Sequence, residues 1–94
     1  MSGHVFHPGH HELHGVTVVV ETRGSRTYVG RFDSQDDSGV HLHDVGVHDD
    51  TAEGPSKEDF LRRCDKFGVR PEHRDLVVPS GEVAHIGRLV DRVR

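Results

Sequence analysis

The sequence predicts a mainly β domain, in which five short strands form a small, strongly bent barrel and one helix is inserted late in the chain. Three observations point there. The chain has 94 residues, the length of one domain with one modest core. Apolar residues make up only 32%, but they include 15 valines and no tryptophan, so the core must be largely valine, which favours strands. The apolar runs are short and separated by polar turns carrying glycine, and a single stretch repeats at helical spacing.

Residues 1–14 hold five of the ten histidines together with Pro8 and Gly9, and show no period. They read as an N-terminal arm, with a short helix through His10–His14 as the alternative. The barrel is expected over 15–94. Val16–Thr22 is β-branched almost throughout and makes the first strand. A turn at Arg23-Gly24-Ser25-Arg26 leads to a second strand, Thr27–Phe32, in which Gly30 marks a bend, a bulge or a close backbone approach. The polar run Asp33–Gly39 reads as a turn. Val40–Val45 then alternates apolar residues with His41 and His43, as a half-buried strand does.

The interval 48–74 reads as an insertion. Its loop, His48–Pro55, precedes a helix with Ser56 as N-cap and Asp59 at the third helical position. Phe60, Leu61, Cys64 and Phe67 share one face of that helix, and Gly68 stands where a terminating glycine belongs. The face is expected to cover the barrel. Leu76–Pro79 makes the fourth strand and Glu82–Ile86 the fifth. The tail, 87–94, fits either a continuing strand or a last helical turn.

Charge and composition exclude several functions. Twelve basic against 16 acidic residues give −4, and protonating all ten histidines would add ten charges and carry the chain to +6. No apolar run approaches the roughly 20 residues of a membrane span. The N-terminus lacks the charged-then-apolar order of a secretion signal, so a cytoplasmic protein is expected. A single Cys64 leaves no internal disulfide and no multi-cysteine zinc site. On the apolar face of a helix it reads as packing rather than as a nucleophile. No ordered catalytic triad can be assigned, so neither an enzyme nor a cofactor is expected. The histidine-dense stretch offers His7, His10, His11 and His14 as candidate ligands for zinc, nickel or copper. It has no recognised ligand spacing, and His-Glu-Leu-His is one residue short of the His-Glu-x-x-His signature, so adventitious divalent metal binding is the plainer reading.

The order of these signals resembles the Sm-like (LSm) small-barrel family. The first motif of that family is similar to Gly15–Gly24 followed by Tyr28-Val29-Gly30-Arg31-Phe32, Asp36-Asp37 and Val40-His41-Leu42. The second is similar to Leu76–Ile86. Together they cover about half of the chain. The resemblance implies an SH3-like barrel that assembles into a homo-oligomeric ring and binds short single-stranded RNA without catalysis. It places Asp37 and His41 in the base pocket, with Arg31 nearby and Tyr28 as a stacking partner. Two features depart from the pattern. His41 stands where the family has asparagine, and Val78-Pro79-Ser80 stands where archaeal and eukaryotic members carry Ile-Arg-Gly, so the stacking guanidinium is missing. The alternatives are therefore a barrel that joins proteins or copies of itself, having lost RNA binding, and a histidine-rich metal-binding protein.

Overall fold

The structure, a computed structural model, describes residues 13–94. Five antiparallel strands form one sheet: β1 (Thr17–Thr22), β2 (Arg26–Asp36), β3 (Gly39–Asp49), β4 (His73–Pro79) and β5 (Val83–Arg88), in the spatial order β4-β3-β2-β1-β5. Helix α1 (Lys57–Phe67) lies between β3 and β4, and a short α2 (Leu89–Val93) follows β5. The tail thus takes both forms open to it, strand through Arg88 and then helix. Most of the expected arm, including the expected helix over His10–His14 up to residue 12, lies outside the described residues.

The sheet does not close into a barrel: β4 pairs with β3 and β5 with β1, leaving both as edges. It is nevertheless curled. The edges of a flat five-stranded sheet stand about 19 Å apart, while the 3₁₀ turn Ser80–Glu82 that joins β4 to β5 rises only about 6 Å. Curling brings Val78 and Leu76 of β4 and Val83 and Ile86 of β5 onto one core with Val18, Val20, Tyr28, Phe32, Val40, Leu42 and Val45. The bend is made at Gly30, where the β2–β3 register shifts. A Cβ there would lie 2.9 Å from the His43 carbonyl, so only glycine lets the two backbones approach.

A second core lies on the convex face. Val19 and Val29 of the central strands meet Leu61, Cys64 and Leu89, with Phe60, Val69 and Val93 packed around them. Helix α1 forms as its ends dictate: the Ser56 hydroxyl accepts from the Asp59 N–H, and the Gly68 N–H donates to the Cys64 carbonyl. Phe67 is the exception on its face, being 76% exposed. The chain turns back at Gly68, and Val69 fills the place expected of Phe67, against Gly46. Glu21 anchors both helices to β1, accepting from Lys57 at 3.2 Å and from Arg92 at 3.2 Å, while Arg92 also grips Glu58. Burial works to raise the Glu21 pKa, but the hydrogen bonds from Arg92 and Lys57 outweigh it and hold the carboxyl below its usual range.

The β2–β3 hairpin is longer than its sequence suggests. Asp33–Asp36 and Gly46–Asp49 continue the ladder, so His48 and Asp49 belong to β3 and not to a loop.

Candidate functional site

Two neighbouring features carry the polar chemistry of the sheet. The first is a meeting of turns. The tight turn of the β2–β3 hairpin touches the 3₁₀ turn between β4 and β5: Ser80 donates from its hydroxyl to the Asp37 carbonyl at 3.2 Å and from its N–H to the Ser38 carbonyl at 3.2 Å. Arg23, in the β1–β2 turn, donates to the carbonyls of Gly81 and Glu82. Three connections far apart in sequence therefore converge. Asp36 shapes the hairpin turn by accepting from the N–H groups of Ser38 and Gly39.

The second is a row of histidines and aspartates on the convex face of β2, β3 and β4. Strand alternation turns Val40 and Leu42 inward and His41 and His43 outward. His41 Nε2 lies 3.1 Å from Asp36 Oδ2. His43 sits between two carboxylates, with Nδ1 2.6 Å from Asp75 of β4 and Nε2 3.3 Å from Asp33 of β2. Those hydrogen bonds, to Asp75 first and then Asp33, raise the His43 pKa above its ordinary value. Asp33 is held below the usual carboxylate range, by the Ser34 hydroxyl first and then by His43. A shallow cavity of about 320 Å³ opens here, lined by Asp33, His41, His43, Asp75 and Val77 among others.

The four residues expected to bind RNA are dispersed. Asp37 lies in the hairpin turn and His41 just beyond it, although the carboxylate that His41 meets is Asp36. Arg31 is on the convex face, engaged by Asp44 at 2.6 Å. Asp44 itself has φ 53, a left-handed conformation that Asp tolerates, at the bulge opposite Gly30. Tyr28 is 8% exposed, in the concave core at the opposite end of β2 from Asp37. It borders a cavity of about 700 Å³, with Arg26, His48, Phe60 and Glu72.

Of the candidate metal ligands, His7, His10 and His11 lie outside the described residues. His14 is exposed, and its Nδ1 is 2.8 Å from the Asp33 carbonyl. Among the described residues no group of three or more His, Cys, Asp or Glu has an arrangement able to hold a metal ion. Cys64 is buried, which pushes its thiol pKa up and away from the thiolate form. No helix of the described residues is long and apolar enough to cross a membrane.

Sequence reasoning found the shared face of His41 and His43 but missed Asp33 and Asp75. The alternation of β3 is visible in the chain, whereas the register that sets Asp75 beside His43 depends on how the insertion returns. No protein-family model matches this chain, and no curated protein matches its sequence.

Proposed function

We propose that this chain is an Sm-like self-association module, joining copies of itself edge to edge and performing no catalysis. The observation that carries this reading is the open sheet, with β4 at one edge and β5 at the other. Such edges present unpaired backbone N–H and C=O groups, and they are of similar length, seven and six residues. Pairing β4 of one copy with β5 of the next is head to tail, so it generates a ring or a filament rather than a two-fold dimer. Val77, 43% exposed on the convex face of β4, adds apolar surface to that edge. Arg74 and Asp75 on β4 and His85 and Arg88 on β5 narrow the registers at which the edges can meet, because like charges directly opposite repel.

A second reading, binding of single-stranded RNA by the assembled ring, is favoured by the convergence of the hairpin turn with the Ser80–Glu82 turn. That is where the resemblance places Asp37 and His41. Against it stand the burial of Tyr28 and the pairing of Arg31 with Asp44.

The test is size-exclusion chromatography with light scattering, with and without a uridine-rich oligonucleotide. A defined oligomer that ignores the oligonucleotide is the expected result, and Val77→Lys should shift it towards monomer. A strictly monomeric protein over the accessible concentration range overturns the proposal. An oligomer that retains the oligonucleotide promotes the second reading.

A further inference from the structure

Beyond its backbone ladder with β3 and the bonds of Glu72 and Ser80 at its two ends, few side chains tie β4 to the body of the protein. Its burial runs exposed at His73, Arg74, Asp75, Val77 and Pro79, with only Val78 buried and Leu76 partly so. The strand is an edge, so just one side of it has a hydrogen-bonded neighbour. An element with so little apolar burial opens locally at low cost, and a single side-chain tie then has a large share in holding it. His43 is that tie. It sits opposite Asp75 in the β3–β4 register and reaches Asp75 on one side and Asp33 on the other, spanning three adjacent strands with one ring.

We propose that His43 is a proton-operated latch on edge strand β4, closed when the imidazole carries both protons and released when it loses one. Only the imidazolium donates from both nitrogens at once, and both of its partners are carboxylates that can only accept. The neutral ring keeps one N–H. It can satisfy Asp75 or Asp33, and it then turns a lone pair towards the other carboxylate.

The surrounding charges fit this role from every side. On β2, Asp33 is fixed by the Ser34 hydroxyl, and its carbonyl is bonded to His14 Nδ1. Arg31, which pairs with His43 in register, has its guanidinium engaged by Asp44. On β3, His41 is taken up by Asp36. On β4, Asp75 has its contact with His43, and Val77 is uncharged.

The sign follows from the raised pKa. The tie is fully present below the ordinary histidine value of 6.5 and is lost as pH rises through the higher folded-state value. If β4 is the assembling edge, which rests on the function proposed above, alkaline conditions loosen the strand that the next copy must pair with, and assembly weakens from neutral towards alkaline pH.

Amide exchange protection factors of β4 in the full chain, measured by NMR at pH 6 and pH 8.5 and corrected for intrinsic exchange, test the latch. For a tie made of exposed ion pairs, β4 protection should fall roughly two- to tenfold between the two conditions, while β1 and β2 stay unchanged. His43→Gln and Asp75→Asn should each abolish the pH dependence and leave β4 at the less protected level. Equal β4 protection at both pH values, or an undiminished dependence in His43→Gln, overturns the latch. Light scattering on the same samples separates the two proposals. A pH-dependent β4 in a protein that is monomeric throughout keeps the latch and removes the assembly reading. An oligomer with a pH-independent β4 does the reverse.

Discussion

Gly39 is the most tightly enclosed of the described glycines. Its φ is +147, and a Cβ added there would lie 2.0 Å from the Val78 carbonyl oxygen and 2.8 Å from its carbon. Neither atom belongs to a flexible side chain, so β4 itself would have to move away. Gly39→Ala should therefore destabilise the protein by about 3 kcal/mol, at the upper end of overpacking costs. Gly81→Ala, with no atom within 4 Å of the added carbon, should leave stability within about 0.5 kcal/mol. Urea denaturation of the two variants distinguishes them, and equal midpoints would show that β4 yields without cost. The sequence marks Gly39 only as the end of a polar turn. The close approach comes from the pairing Gly39–Pro79, which joins residues separated by the whole insertion. The residues of the candidate site divide in the same way. His41 and His43 are legible through strand alternation, but Asp33 and Asp75 become their neighbour and partner only through long-range register.

Among the elements, α1 was the most legible, because its determinants are local. Ser56, Asp59 and Gly68 act within a few residues of where they stand. Its contribution to stability is not local, however. Leu61 is fully buried against Val19 and Val29, and Leu61→Ala should cost about 2–5 kcal/mol, against about 1 kcal/mol for removing the cap in Ser56→Ala. Thermal or denaturant unfolding should rank them in that order. The reverse order would mean that the helix adds little to the convex core. The β2–β3 hairpin shows the opposite limit of legibility. Its outer half, rich in Asp, Ser and Gln, looks like a turn by composition. Those side chains nevertheless extend from a paired backbone whose polar face meets water, and periodicity in so polar a run gives no strand signal.

Across the described residues, the middle of β1 and the first half of β2 are covered on both faces, by the concave core on one side and by the helices on the other. β4 and β5 are covered on one face only and flanked on one side only. Exchange protection should accordingly be highest at Val18–Val20 and Thr27–Val29 and fall off towards both edges. Uniform protection across the sheet would contradict this layering. The unbroken run Val18-Val19-Val20 in β1 announces burial on both faces. The identity of what covers the second face depends on the fold of the insertion and the tail, which no local pattern in β1 encodes.

The link between the two edges has a mechanical consequence. β4 and β5 stand at opposite ends of the sheet, yet Ser80–Glu82 joins them directly, and Arg23 and Ser80 pin that link to two other turns. The two edges are thus connected by a short, braced link that bypasses the four intervening strand pairings. If copies join edge to edge as proposed above, occupation of one rim would bear on the geometry of the opposite rim, and each further addition would be easier than the first encounter.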